Sequence, residues 1–289
     1  MLDLILNGLA IGSMYAMGTV ALSMIWGSLG ILNMAHGAIL TLGAYASYFA
    51  VAQFGLPWWV GPGAAALGGV VCGALLYSTV IHWLFDKPNA PINVIIATIA
   101  VAAIVENLST VGFSAEPRLQ PFSFDGALHL GDVSVRMQPL VVLCAALVMT
   151  LLISLLLNHT GMGRSIRAVS QQRTAAALMG VRVRAVYLQI MILAGVVSAI
   201  SGLLLTGMTT IYPIVGALPM MKALVICTLA GLGSLWGATL VALLFGLGEV
   251  FLQHTLGARL GFPVMLGLAI FILILLPSGL FGRAAGERM

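Results

Sequence analysis

Apolar runs, each about as long as one bilayer crossing, succeed one another along this chain, and no other feature constrains its fold as tightly. Residues 93–113 are one such run. As a helix it reaches about 31 Å, against a hydrocarbon core of about 30 Å. An aqueous fold could not cover such runs: charged residues make up 7% of the chain, where soluble domains carry about 25%. The expectation is an all-α fold, a polytopic membrane helix bundle forming one transmembrane domain over residues 1–289.

The runs fall at residues 4–26, 38–52, 61–85, 93–113, 138–157, 187–205, 222–231, 236–254 and 262–276. That gives nine membrane-inserted segments, or eight if one is re-entrant. The start, Met-Leu-Asp, lacks the positive n-region of a signal peptide, so the first run reads as a retained span. Gly8-x-x-x-Gly12 and Gly69-x-x-x-Gly73 place small residues where helices in lipid approach closely. The stretch 27–37, GSLGILNMAHG, breaks the pattern with three glycines plus Asn33 and His36, and the following run is short. A Gly-rich broken or re-entrant segment is expected there, because irregular backbone at membrane depth needs protein or a water-filled cavity around it.

Charge sets the orientation. The stretch 161–187, GMGRSIRAVSQQRTAAALMGVRVRAVY, carries Arg164, Arg167, Arg173, Arg182 and Arg184 and no acid. Short basic loops stay in the cytoplasm, so a cytoplasmic loop of about 158–187 follows. The loop of about 114–137 has Glu116, Asp125 and Asp132 against Arg118 and Arg136. It flanks the same span from the other end and is therefore extracytoplasmic. Its alternating FSFDGALHLGDVSVR suggests a short hairpin or extended segment. The tail, with Arg283, Arg288 and Glu287, reads as cytoplasmic. The net charge of +4 is a topology signal rather than a nucleic-acid one.

Polar residues inside the runs are candidates for a substrate pathway, because charge at membrane depth is costly unless it faces protein or water. They are Asn33, His36, Glu106 and Glu249. Glu106 has a second reading, in which it lies near the headgroups. The chain contains no HExxH, Walker-type GxxxxGK[ST] or GxSxG. Its five histidines, at 36, 82, 129, 159 and 254, never fall three or four apart. Cys72, Cys144 and Cys227 each sit in an apolar run and read as small core hydrophobes. No catalytic residue, metal site or cofactor is expected, so the energy for any active transport comes from ion coupling or from another subunit. HGAILTLGAYA at 36–46 and WGATLVALLFG at 236–246 each follow a Gly-Ser-Leu-containing turn. They are either an internal repeat or a chance likeness of two Gly/Ala/Leu-rich helices.

Within the basic stretch Thr174 can N-cap a short Ala-rich helix over 175–179, with Gly180 as its stop. Two readings are open. Small side chains on an exposed helix suit docking into a cytoplasmic partner, or the arginines set topology and touch anionic headgroups.

Five stretches, NGLAIGSMYAM (7–17), NMAHGAILTLGAY (33–45), MGRSIRAVSQQRTAAALMGV (162–181), GLGSLWGA (231–238) and LPSGLFGR (276–283), resemble the permeases of branched-chain amino acid ABC importers. The resemblance is to the LivH/LivM type, and more to LivH. It implies an inner (plasma) membrane, multi-pass subunit working with a second homologous permease, two cytoplasmic ATP-binding subunits and a periplasmic amino-acid-binding protein, with no nucleic acid and no cofactor. The expected activity is transport of branched-chain or hydrophobic amino acids. Within the family the alternatives are urea, short amides or other amino acids. From other classes they are an ion-coupled secondary transporter or passive channel acting alone, and a structural or assembly subunit. The general coupling motif of such permeases is Glu-Ala-Ala-x-x-x-Gly. It falls here on Thr174, Ala175, Ala176 and Gly180, without the Glu, and leaves Gln172 or Arg173 as the polar contact. Arg164 and Arg167 belong to the same docking segment.

Overall fold

The structure, a computed structural model, describes residues 2–122, 124, 126–130 and 133–282. The basic tail and the acids Asp125 and Asp132 lie outside the described residues. The chain is helical almost throughout. Its order is α1 (Leu2–Leu29), α2 (His36–Tyr48), α3 (Gly61–Leu76), α4 (His82–Leu84), α5 (Ala90–Phe113), α6 (Met137–His159), α7 (Gly161–Gln171), α8 (Arg173–Leu178), α9 (Val183–Thr206), α10 (Ala217–Ala230), α11 (Leu235–Leu256) and α12 (Ala258–Leu275). A π-helical turn, Phe49–Gln53, extends α2, and another, Tyr77–Ile81, joins α3 to α4. Among the described residues seven helical stretches are long and apolar enough to cross a membrane. The chain is thus a polytopic helical bundle; α2, with 13 residues, and α10, with 14, are shorter than one crossing.

Glycines set the tightest helix contacts. α1 runs antiparallel to α11, with Gly8 against Leu247 and Gly12 against Leu243. A Cβ on Gly12 would lie 2.7 Å from the Leu243 Cα, so only a hydrogen fits. α3 meets α9 in the same way, through Gly69 and Gly73 against Gly195 and Met191. Both GxxxG pairs therefore sit in helix–helix seams, where the absence of a side chain lets dispersion contacts run along the backbones.

The two short helices start level with the middle of α1. The position a Cβ would take on Gly18, midway along α1, is 3.5 Å from the His36 ring, which opens α2. Gly37 and Gly216 meet backbone to backbone, so α10 begins where α2 begins. Thr41 Oγ1 stitches the crossing, donating to the Gly37 carbonyl at 3.1 Å and accepting from the Gly216 amide at 3.1 Å. α10 then descends to the end of α1, where Gly27 touches Gly233. The chain thus repeats one motif, a long helix, a non-helical return and a short helix: α1, 30–35, α2, and again α9, 207–216, α10. The packing follows it, α1 on α11 and α9 on α3. This correspondence pairs 36–46 with α10, not with 236–246, which lies in α11.

Local structure fills in what the apolar runs leave open. Residues 161–171 form a helix that buries Gly163, Ile166 and Val169 and turns Arg164 outward. Three small or apolar residues at helical spacing suffice to seat an otherwise polar helix on the bundle. α11 and α12 are separated by Gly257 alone, whose φ of 89° makes the turn. The 114–137 loop does hold a hairpin, Ala127–Leu130 paired antiparallel with Val133–Arg136. A second antiparallel pair joins Arg118–Leu119 to Thr210–Ile211, tying this loop to the return before α10.

Candidate functional site

His36 faces a cavity level with the middle of α1, between α1, α2, α9 and α10. Its walls include Met14, Tyr15, Leu40, Ser201, Leu205 and Ala223, and its volume is about 10 Å³, room for about one water. The His36 side chain is 1% exposed. Its Nδ1 lies 2.6 Å from Ser198 Oγ, and that hydroxyl donates to the Ala194 carbonyl at 2.8 Å. A hydroxyl has one hydrogen, so both bonds form together only if Nδ1 carries the ring proton and donates to Ser198. Nε2 is then a bare acceptor, and among the described residues it has no hydrogen-bond partner.

Beside the cavity, Tyr15 belongs to a buried charged network. Lys222 Nζ lies 2.6 Å from Glu249 Oε1 and donates to the Tyr15 hydroxyl at 2.6 Å. That hydroxyl donates to Glu249 Oε2 at 2.9 Å, and Gln253 Nε2 donates to Oε1 at 3.1 Å. The ammonium also sits 4.8 Å from the Tyr15 ring centre and 4.7 Å from that of Phe262. Every charge here is paired and bonded, the condition under which an ion pair survives away from water. The network joins α1, α10, α11 and α12.

The other pathway candidates lie apart. Asn33 Oδ1 accepts from the Ala35 amide at 3.0 Å and shapes the return into α2. Thr98 of α5 supports it by accepting from the Met34 amide at 3.1 Å. Glu106 is half-buried on α5, away from this cavity. Tyr15, Ser198 and Lys222 are partners that sequence reading missed. The one signal available was a lysine opening an apolar run. Among the described residues no group of three His, Cys, Asp or Glu could hold a metal ion.

At the opposite end of the site lies α8. Its N-cap position is Gln172, not Thr174, and no side chain caps it. Gly180, at φ 85°, ends it: the Val181 amide donates to Ala176 and the Gly180 amide to Ala177, both at 3.0 Å. This is the Schellman pattern, and a left-handed residue is what it requires. Ala176 is buried and Ala175 half-buried, while Gln172 and Thr174 are exposed; Leu178 and Met179 project 83% and 85% exposed. Arg173 donates to Asp86 Oδ1 at 2.6 Å and covers the rings of Phe85 and Tyr187. Arg184 approaches Asp86 Oδ2 at 3.5 Å, and its carbonyl accepts from the Tyr77 hydroxyl at 2.9 Å. The Arg173 hydrogen bond, then the charges of Arg173 and Arg184, hold the Asp86 carboxyl below the usual carboxylate range. Arg167 instead turns back to the end of α6, donating to the Leu157 carbonyl.

The family model described as "Branched-chain amino acid transport system / permease component" matches residues 4–276. The chain is similar to the high-affinity branched-chain amino acid transport system permease protein BraD of Pseudomonas aeruginosa, 28% identical over 305 residues, with 100% of this chain and 98% of BraD covered. It is also similar to LivH of Escherichia coli, 24% identical over 296 residues, with 98% and 96% covered. A solved structure, PsaBC from Streptococcus pneumoniae in complex with Fab, shares the fold with a TM-score of 0.52. It is 17% identical and covers 98% of this chain and 94% of that one. The chain is accordingly a multi-pass protein of the inner membrane. The match runs almost end to end, and the protein belongs to the family of permease components of branched-chain amino acid transport systems.

Proposed function

We propose that this chain is the permease subunit of an ATP-driven importer that moves branched-chain or other hydrophobic amino acids received from a periplasmic binding protein. It works beside a second homologous permease and two cytoplasmic ATP-binding subunits, and has no catalytic site of its own. In this reading residues 158–187 face the cytoplasm and 114–137 the outside. α2 and α10 join the seven long helices as short inserted elements, giving nine. The substrate passes His36, between the short helices; Glu249 borders that route through Tyr15, Asn33 shapes its wall, and Glu106 is kept as a pathway candidate for its polarity at depth alone.

The observation that carries the reading is α8. Two apolar side chains project from a helix closed by Gly180, and the helix is tethered through Asp86 to the α4–α5 turn. A partner that moves Arg164–Gly180 displaces α9 and, through Asp86 and Tyr77, the α3–α5 end as well. Gln172 is exposed and free to meet that partner, whereas Arg173 is bonded to Asp86. The one-water cavity is too small for an amino acid, so transport requires the four helices around it to part.

The test is reconstitution of the assembled importer in liposomes with leucine-loaded binding protein. Leucine uptake that depends on ATP and on the binding protein is expected. Uptake by the purified chain alone without ATP refutes the reading in favour of a carrier acting alone. Uptake of urea or short amides instead of leucine changes the substrate class only.

A further inference from the structure

We infer that His36 Nε2 is the hydrogen-bond acceptor that receives the substrate's ammonium group at mid-membrane. The inference rests on the amino-acid importer reading above and adds to it one atom with one job.

Three observations converge. First, His36 is buried, yet half of its hydrogen-bonding capacity is unused: Nδ1 is held by Ser198 while Nε2 has no partner among the described residues. A buried polar atom left bare costs about 1–3 kcal/mol, a cost that a donor arriving on a ligand would recover. Second, that atom lies on the cavity wall, and it lies in front of Gly18, the one position along that turn of α1 with no side chain to cover it. Third, the remaining walls are mainly apolar, formed by Met14, Leu40, Leu205 and Ala223, and the Tyr15 hydroxyl is already committed to Lys222 and Glu249. A neutral ring nitrogen accepts and does not donate, so its complement is a donor. An apolar amino acid brings an ammonium for the nitrogen and a hydrocarbon side chain for the walls. Ser198 serves as a positioning residue: its bond fixes the tautomer and turns the free nitrogen inward.

Amide variants separate the two ring nitrogens, because an Asn amide overlays Nδ1 and a Gln amide overlays Nε2. His36→Asn keeps the tie to Ser198 and deletes the proposed acceptor. His36→Gln does the reverse. In the reconstituted importer with leucine as probe, His36→Gln retains uptake within about threefold of wild type. His36→Asn falls about tenfold or more, the worth of one hydrogen bond to a charged group. Assembly is read in parallel by co-purification of the partner subunits. Equal uptake in the two variants, greater uptake in His36→Asn, or failure of either to assemble overturns the inference, because each makes His36 a structural tie or the holder of a single water. A wild-type importer with no ATP-dependent uptake of leucine, urea or short amides defeats the functional reading and this inference together, and one that takes up urea or short amides but no leucine defeats this inference alone, because no ammonium is delivered. A wild type that takes up leucine, with variants that do not differ in the expected order, defeats the inference alone.

Discussion

Glu249→Gln should leave one of the most costly defects available to this molecule, an ammonium buried without its counter-charge. Glu249 and Lys222 side chains are 3% and 15% exposed, and their charged atoms are 2.6 Å apart. At an effective dielectric of about 20 that separation corresponds to a gross attraction of about 6 kcal/mol, most of it offset by the desolvation of two ions. The net worth of the pair is therefore small, but the cost of removing one partner is about 3–5 kcal/mol. Gln keeps the shape and one acceptor oxygen, so Lys222 retains the Tyr15 hydroxyl and the two ring faces and loses its counter-charge, while the amide NH2 takes the place of an oxygen that accepts from a neighbouring donor. Lys222→Met leaves the opposite defect, a carboxylate with the Tyr15 and Gln253 donors but no cation. The double variant leaves neither. The assay is thermal unfolding of the detergent-purified chain followed by a thiol-reactive dye, for which the fully buried Cys227 reports loss of packing. Each single variant should lower the midpoint by about 10 °C, and the double by no more than the better single. Singles within about 2 °C of wild type, or a double showing the sum of the two losses, would refute the reasoning.

Arg173→Glu sets a second acid against Asp86 and should release α8 from the α4–α5 turn. An exposed pair is worth about 0.2–1 kcal/mol, so folding should barely change while uptake per ATP hydrolysed falls in the reconstituted importer; unimpaired coupling counts against the tether. The tether's pH response follows from a depressed carboxyl. Its contribution is fully present above the ordinary carboxylate value of about 3.9 and is lost as pH falls through the lower, folded value. The difference in unfolding midpoint between wild type and Asp86→Asn should be flat from about pH 5 to 8, and a slope in that window would contradict the pairing. Gly12→Val drives a side chain into the Leu243 backbone and should cost about 1–3 kcal/mol or more, read as reduced folded yield. Gly63→Ala, with nothing within 4 Å, is the matched control and should be neutral or stabilising.

Much of this was readable before any coordinates. Long apolar runs and the five-arginine stretch define a helical bundle and its basic face, because length and charge are local properties. Gly180 was identifiable as a helix stop for the same reason. What escaped was azimuth and partnership. Asn33, His36, Glu106 and Glu249 all read as polar at depth, but which way each faces depends on neighbours far away in sequence. Lys222 is 27 residues from Glu249, Ser198 is 162 from His36 and Arg173 is 87 from Asp86. Thr174 looked like a cap because caps are usually hydroxyls, whereas the chain turns at Gln172, where the backbone is extended. α7 was hidden by its polarity: Gly163, Ile166 and Val169 are few, but they fall on one face. The true internal correspondence was masked because it joins helices of opposite direction, which share a packing role rather than a letter pattern.

The doubled motif has a consequence for direction. α1 with its return and α2, and α9 with its return and α10, run opposite ways and meet at Gly37 and Gly216. The two motifs are alike in their order of elements and differ in side chains, since α10 carries Lys222 and α2 carries no Lys, Arg, Asp or Glu. Under the proposed function the backbone pattern of the two motifs therefore favours neither direction of opening. What gives direction is then sought in side chains such as those of the Lys222–Glu249 network and at the ends, where the likeness also fails. One end carries the Arg118–Leu119 and Thr210–Ile211 pairing, and the other carries the exposed, tethered α8. Under the proposed function, direction belongs to those two rims, to the charged network between them and to what presses on them.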